Sequence, residues 1–250
     1  MLSQARLAKV PEITFGFWAI KICATTLGET GGDAVSMSLD LGYLLSTGIF
    51  AAVFAVAVAA QIAARRFNPL LYWTTIIATT TVGTTLADFA DRSLGIGYAG
   101  GSALLLGLLA VSLLCWYLTL GSVSVASVAT PRAEIFYWVT IMFSQTLGTA
   151  LGDWMADDAG FGYAGSALLF GALLLALTLM HYRTRLSSTL LFWAAFILTR
   201  PLGAVLGDLL DKPLAAGGFA LSRFGASAAL LVVIGLLLLV SPHKAASASH

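Results

Sequence analysis

The feature that most constrains this chain is an internal repeat, because four copies of one spacing require four equivalent structural units. In each copy a Trp is followed by a Gly ten residues later and by an Asp fifteen residues later. The Trp and Asp of the four copies are Trp18 and Asp33, Trp73 and Asp88, Trp138 and Asp153, and Trp193 and Asp208. A recurring unit of this kind buries its apolar face only by packing against its neighbours.

Each copy contains two long apolar segments, so eight such segments fill the chain. They lie at about 11–33, 39–63, 69–90, 97–120, 133–155, 162–182, 189–210 and 218–240. Only 10% of the residues are charged, whereas soluble chains carry about 25%. Segments of this length and apolarity are typical of transmembrane helices. We therefore predict an all-α fold, a polytopic transmembrane bundle of eight helices made of four two-helix repeats with pseudo-symmetry.

The repeats predict a single transmembrane domain over residues 1–250. The four units lie at about 11–66, 67–121, 131–186 and 187–241. The longest spacing between the repeated Trp residues of successive units includes the linker SVSVASVATPR, which divides the chain into two halves of two repeats each. Because each unit crosses the bilayer twice, all four point the same way and are parallel repeats. Residues 242–250 are small and polar, and we expect a disordered tail there.

The basic residues predict the orientation of these segments. One set of segment ends carries most of the positive charge, on Arg6, Lys9, Arg65, Arg66, Arg132, Arg183, Arg185 and Lys244. The other set has only Arg92, Lys212 and Arg223. Since cytoplasmic loops carry an excess of Lys and Arg, both termini are expected in the cytoplasm. The odd-numbered segments then run outward from their Trp to their Asp.

The four tandem units, each with its Trp, and the opening VPEITFGFWAIKICATTLGETGGD carry a resemblance to a known family. The chain resembles bacterial membrane proteins built from four copies of a repeat of unknown function. The resemblance covers nearly the whole chain and implies eight helices and a bacterial inner-membrane location, but little about activity. The fourth repeat departs most from the pattern, with Arg200-Pro201 where the others have Thr25-Thr26, Thr80-Thr81 and Gln145-Thr146.

A polar stripe runs along each odd-numbered segment. The positions 7, 11 and 15 after each Trp share one helix face. They hold Thr25, Glu29 and Asp33; Thr80, Thr84 and Asp88; Gln145, Thr149 and Asp153; and Arg200, Ala204 and Asp208. Lys21 extends the first stripe by one turn. Because such a stripe cannot face lipid, we expect the odd helices to surround a polar interior and the even helices to face the bilayer.

These stripes supply the candidate binding residues. We expect Lys21, Thr25, Glu29, Thr84, Gln145 and Arg200 to bind a substrate or ion, and Glu29, Asp33, Asp88, Asp153 and Asp208 to bind a metal. A charge inside the membrane costs roughly 2.5–3.5 kcal/mol, so each must be paired, hydrated or neutralised. In the structural alternative, the Asp residues pair with Arg92, Lys212 or Arg223, the Trp and Tyr residues are interfacial anchors, and Arg200-Pro201 is a kink whose charge satisfies freed carbonyls.

Three functional hypotheses remain open. In the first, the chain exports a hard divalent cation such as manganese in exchange for protons, since five carboxylates against Lys21 and Arg200 leave three negative charges. In the second, it carries a small organic solute or anion bound by Lys21 and Arg200. In the third, it is a non-transporting scaffold or sensor whose polar stripes pair internally. The cation would be a substrate, and no cofactor is expected.

Other classes of function are disfavoured. The sequence has no HExxH or GxSxG motif and no nucleotide-binding loop, so we do not expect an enzyme. A net charge of +1 offers no attraction to nucleic acid. Cys23 and Cys115 are far apart in apolar runs, so the sequence indicates no zinc cluster or disulfide framework. The expected partners are a metal ion or small solute and the lipid bilayer, with a homodimer through the Gly-rich helices left open.

Overall fold

A computed structural model describes residues 9–241 and 244–246. In these residues the chain forms eight α-helices. They are α1 (Phe15–Asp33), α2 (Gly42–Ala63), α3 (Pro69–Asp88), α4 (Tyr98–Leu120), α5 (Pro131–Asp153), α6 (Gly162–Arg183), α7 (Ser188–Asp211) and α8 (Arg223–Val240). The predicted all-α, eight-helix fold is confirmed. Five of the described helices, α2, α4, α6, α7 and α8, are long and apolar enough to cross a membrane, and the chain is a multi-pass membrane protein.

Local capping sets where three of the odd helices begin. The side chains of Thr14, Asn68 and Thr130 each accept a hydrogen bond from the backbone N–H three residues further on. These are favoured N-cap residues, because they satisfy an amide that has no partner within the helix. Pro69 and Pro131 occupy the first turn, where a missing N–H costs nothing. The helices therefore start shortly before their repeated Trp.

The odd helices form a closed inner ring. In it, α1 packs on α3, α3 on α5 and α5 on α7, and α7 packs back on α1. Each even helix lies outside the ring against the odd helix of the next repeat: α2 on α3, α4 on α5, α6 on α7, and α8 on α1. The last repeat thus contacts the first as each earlier repeat contacts its successor. This cyclic arrangement gives the bundle fourfold pseudo-symmetry and shields the more polar inner helices from lipid.

Glycines hold the inner ring together at equivalent places. The Gly ten residues after each Trp packs on the residue seven after the Trp of the next repeat: Gly28 on Thr80, Gly83 on Gln145, Gly148 on Arg200, and Gly203 on Thr25. A Cβ atom on any of these glycines would overlap the facing residue. Small residues let two helices approach this closely. The repeated Gly therefore marks a line of close contact between neighbouring inner helices, called here a seam, and the fourth seam closes the ring.

Threonine hydroxyls bridge two of the same seams. Thr25 Oγ1 donates to the Thr199 carbonyl over 3.2 Å, and Thr80 Oγ1 donates to the Ala24 carbonyl over 3.3 Å. In both pairs, the residue seven after a Trp reaches the residue six after the Trp of the preceding repeat. Both hydroxyls also lie within hydrogen-bonding distance of carbonyls of their own helix. Each threonine hydroxyl therefore lies within hydrogen-bonding distance of a carbonyl in its own helix and of a carbonyl in the neighbouring helix.

The repeated Asp marks a change of helical geometry in three repeats. The α-helix ends at the Asp and continues as a π-helical turn at Ala34–Ser38, Phe89–Ser93 and Trp154–Asp158. In the fourth repeat, α7 instead stays α-helical through Pro201 as far as Asp211. Short π-helical turns are rare and occur often at functional sites. The fourth repeat is thus the one that differs in backbone as well as in sequence.

Residues 10–12 and 244–246 meet at the end of the ring that carries the Trp residues, called here the tryptophan end. The Ala246 N–H donates to the Val10 carbonyl over 2.8 Å, and the Glu12 N–H donates to the Lys244 carbonyl over 2.9 Å. Residues 244–246, which fall in the tail expected to be disordered, thus pair here with the N-terminal segment. Residues 242–243 and 247–250 of that tail, and Arg6, lie outside the described residues.

The seam contacts predict which glycines tolerate a side chain. We expect Gly203→Ala to destabilise the protein by about 1–3 kcal/mol, as overpacking of a tight interior does. Gly171→Ala is the matched control, because a Cβ there meets nothing within 4 Å. Thermal unfolding in detergent should show a lower midpoint for the first variant and an unchanged or higher midpoint for the second. Equal midpoints would contradict the assignment of Gly203 to a close seam.

Candidate functional site

Aromatic side chains close the axis of the ring at the tryptophan end. Tyr72, Trp73, Tyr137, Trp138 and Trp193 are buried, and the Tyr72 and Tyr137 hydroxyl oxygens are 2.6 Å apart. The expectation that the repeated aromatics act as interfacial anchors is wrong for these residues. They belong to the inner helices, and the outer helices separate them from lipid. The aromatic cluster instead seals one end of the bundle.

The Arg200 guanidinium occupies the centre of the ring. Its Nη2 atom lies 3.1 Å from Glu29 Oε2 and within hydrogen-bonding distance of the Thr84 and Thr149 hydroxyls. These three partners all stand eleven residues after the Trp of their repeats. A group that reaches the same position in three repeats lies at the pseudo-symmetry axis. The fourth repeat has Ala204 at this position, whose small side chain leaves room for the guanidinium.

This geometry corrects one reading of the Arg200-Pro201 pair. The guanidinium does not satisfy carbonyls freed on its own helix but crosses the axis to three other helices. Arg200 and Glu29 are both buried. Their pairing meets the requirement that an intramembrane charge be compensated. Removing one partner of such a pair leaves an uncompensated buried charge, which is strongly destabilising.

The opposite end of the ring, called here the aspartate end, is held by basic side chains that each bridge two of the repeated Asp residues. In the first of these bridges, named the Arg92 clamp, Arg92 Nε is 3.1 Å from Asp88 Oδ1 and Arg92 Nη2 is 3.3 Å from Asp153 Oδ2. Both carboxylates are buried. Burial raises the pKa of the neighbouring Asp91 to about 6, while the charge of Arg92 acts in the opposite direction.

The second bridge, named the Lys212 clamp, joins the fourth repeat to the first. Lys212 Nζ is 2.9 Å from Asp208 Oδ1 and 3.2 Å from Asp33 Oδ2. Burial alone would lower the pKa of Lys212, but Asp208 and Asp33 raise it above its ordinary value. Arg223 lies beside this clamp, 2.6 Å from Asp211 and 3.7 Å from Asp33. Lys212 therefore stays a charged ammonium between two buried carboxylates.

A sequence register explains both clamps. Arg92 and Lys212 each stand nineteen residues after the Trp of the second and fourth repeats, where the first and third repeats have Met37 and Asp157. The basic residues therefore alternate around the ring, and each bridges its own Asp to that of the next repeat. From the sequence alone, they are expected only as alternative partners of the Asp residues. Their shared position, four residues after an Asp, is the signal that would have assigned them.

Three predicted metal ligands come together beside the Lys212 clamp. One carboxylate oxygen from each of Glu29, Asp33 and Asp208 lies within 4.8 Å of the others, and all three residues are buried. We call these residues the carboxylate cluster. Asp88 and Asp153 are not part of it, because Arg92 holds them separately. Once Arg92 and Lys212 are counted, the interior excess of three negative charges expected from the sequence falls to one.

The remaining predicted residues lie on the tryptophan side of Arg200 or at a seam. Thr25 packs at the seam between α1 and α7, and Thr84 contacts both Glu29 and Arg200. Lys21 and Gln145 are fully buried. Within the described part of the chain, the Lys21 ammonium and both polar atoms of the Gln145 amide have no hydrogen-bond partner. All six predicted substrate residues are thus interior, but they do not form one site.

Comparison with known proteins supports the repeat structure. The family model described as Repeat of Unknown Function (DUF347) matches residues 16–67, 71–122, 136–187 and 191–241. The chain belongs to this family. The four matches confirm the resemblance to a family built from four tandem repeats. No curated protein and no solved structure gives a significant match to the chain.

The central ion pair makes a quantitative prediction. We expect Arg200→Met to destabilise the protein by about 3–5 kcal/mol, because it leaves Glu29 buried without its partner. Adding Glu29→Met should recover part of this loss, since the uncompensated charge is then gone. Arg183→Met is the control, because Arg183 is exposed. Equilibrium unfolding in detergent measures the unaltered protein, the Arg200→Met and Glu29→Met single variants, the double variant and the control. Additive effects of the two central substitutions would contradict the pairing.

Proposed function

We propose that this protein exports a hard divalent cation such as manganese across the bacterial inner membrane in exchange for protons. The observation that carries the proposal is the carboxylate cluster of Glu29, Asp33 and Asp208, buried between α1 and α7. An oxygen-only set of donors suits manganese, magnesium or calcium rather than a soft metal. Carboxylates buried in a membrane bundle are also candidates for an ion pathway by default.

The Lys212 ammonium supports a mechanism of displacement. It lies where a bound cation would contact Asp208 and Asp33, at 2.9 Å and 3.2 Å. An entering divalent cation would take over these oxygens, and Lys212 would move away. The negative charge of the cluster would then be compensated by Lys212 when no cation is bound and by the cation when it is bound. Such compensation lowers the cost of keeping several carboxylates in a low-dielectric interior.

Exchange with protons follows from the same donor set. Carboxylates must be deprotonated to bind a metal, so metal binding releases protons and proton binding releases metal. A gradient of one can therefore drive movement of the other. We place the tryptophan end in the cytoplasm, because most of the basic residues at the helix ends flank that end. Export would then run from the aromatic cluster past Arg200 to the carboxylate cluster.

The two other hypotheses make different demands on the same residues. The two clamps are also compatible with a scaffold or sensor, because in such a protein the charges pair internally and nothing is transported. An organic-anion carrier would bind its cargo at Lys21 and Arg200, so its flux would depend on these residues rather than on the carboxylate cluster. A scaffold or sensor would show no flux, which distinguishes it from a transporter. An organic-anion carrier would show flux of anions rather than of divalent cations.

The cluster predicts which substitutions abolish flux. In proteoliposomes that contain a manganese-sensitive dye and bear a proton gradient, Asp208→Asn and Glu29→Gln should each slow manganese movement by about tenfold or more, as loss of metal-site groups does. Asp158→Asn removes an exposed carboxylate and serves as the control. The proposal fails if the unaltered protein moves no manganese, magnesium or calcium, or if the three variants transport equally.

The displacement mechanism predicts a gain of affinity in one variant. Lys212→Met removes the tethered cation that competes for Asp33 and Asp208, so half-maximal manganese flux should occur at a lower concentration. Lys244→Met is the matched control, because this lysine is exposed at the tryptophan end. The measurement is the manganese dependence of the initial rate in proteoliposomes. A higher half-maximal concentration in Lys212→Met would show that the lysine assists binding.

A further inference from the structure

A group of unpartnered hydrogen-bond donors lies on the tryptophan side of the central ion pair. They are Lys21 Nζ, the Gln145 amide nitrogen, and Nε and Nη1 of Arg200. None of these atoms has a hydrogen-bond partner within the part of the chain that the structure describes. All three residues are fully buried. Buried polar groups are almost always partnered by protein, water or a ligand, so this concentration of unpartnered donors calls for a partner.

Contacts place these donors at neighbouring levels of the ring. Lys21 Nζ lies 4.0 Å from the centre of the Phe196 ring, and Phe196 stands one turn before Arg200 on α7. Gln145 occupies in α5 the repeat position that Arg200 occupies in α7. Gly148, one turn further along α5, packs directly on the stem of Arg200. The donors therefore come from three helices of the inner ring, α1, α5 and α7.

The charges in this region do not balance. Two basic side chains, Lys21 and Arg200, lie in this region, and Glu29 is the one carboxylate that contacts either of them among the described residues. Asp33 and Asp208 lie further along the axis and are engaged by Lys212. Two positive charges thus share a single negative charge inside a low-dielectric bundle. One additional negative charge would make the group neutral.

We propose that a small monovalent anion, a halide or a small carboxylate such as formate, binds among Lys21, Gln145 and Arg200. The N–H groups of an ammonium, a guanidinium and an amide are donors suited to an anion. Glycine seams hold the surrounding helices at close range, so the ligand must be small. A metal ion is disfavoured here, because an ammonium, a guanidinium and an amide NH2 offer it no lone pair.

This anion site lies on the opposite side of Arg200 from the proposed cation site. Lys21 and Glu29 are eight residues apart on α1, which corresponds to about 12 Å along the helix. The bound anion would neutralise the excess positive charge and leave Arg200 paired with Glu29. The inference does not depend on transport, since binding can be measured without any gradient. Its failure would therefore leave the proposal of cation export to be judged by flux alone.

Binding of radioactive chloride to the full-length protein in detergent tests the site. In gluconate buffer, the unaltered protein should bind about one chloride per chain, and Lys21→Met should weaken binding by about tenfold or more, as loss of a charged donor does. Gln145→Leu should weaken it less, and Lys244→Met should leave it unchanged. If formate competes with chloride, the site also accepts small carboxylates. If formate does not compete, the site is restricted to halides. The proposal is overturned if no saturable binding occurs or if Lys21→Met binds equally well.

Thermal unfolding provides a second readout that separates loss of the ligand from loss of the fold. Chloride should raise the unfolding midpoint of the unaltered protein at constant ionic strength, because it binds only the folded state. Lys21→Met should show no such rise, and in chloride-free buffer it should unfold at a higher temperature than the unaltered protein, since it lacks an unpaired buried charge. A chloride-dependent rise of equal size in Lys21→Met would contradict the site.

Discussion

The exclusion of charge from lipid is the constraint on which the rest of this structure depends. Every odd helix carries polar residues on one face, and a low-dielectric bilayer makes their exposure costly. The four helices meet this constraint by turning those faces toward one another and closing into a ring. The glycine seams follow, because only small residues let four helices approach closely enough for Arg200 to reach Glu29, Thr84 and Thr149 at once.

Electrostatic pairing then imposes a lower symmetry on the fourfold ring. All four repeats contribute an Asp at the same level, but only the second and fourth contribute a basic residue four positions later. Two clamps result, and each spans one boundary between repeats. Arg200 adds a further asymmetry, since a single guanidinium occupies the centre that four equivalent residues would share. Repetition thus builds the scaffold, and departures from repetition distribute its charge.

The two proposed binding sites use opposite ends of this charge distribution. On the aspartate side of Arg200, carboxylates exceed basic groups, and a divalent cation would compete there with Lys212. On the tryptophan side, N–H donors exceed acceptors, and a small anion would satisfy Lys21 and Gln145. Arg200 lies between the two regions and belongs to both, because its Nη2 atom contacts Glu29 while Nε and Nη1 remain unpartnered in the described residues. An ion bound in one region would therefore influence the other through this side chain.

The sequence by itself determined the four repeats, the eight helices and the interior placement of the polar stripes, since spacing along a helix decides which residues share a face. From spacing alone, Glu29, Asp33 and Asp208 were assigned to one interior. The tertiary structure decided which of these residues meet. Only cyclic closure brings Asp208 of α7 beside Asp33 of α1, separates Asp88 and Asp153 from them, and buries Trp73 and Trp138 away from lipid. Spacing is a property of one helix, whereas a seam, a clamp or an axis exists only between helices, and their partners depend on how the ring closes.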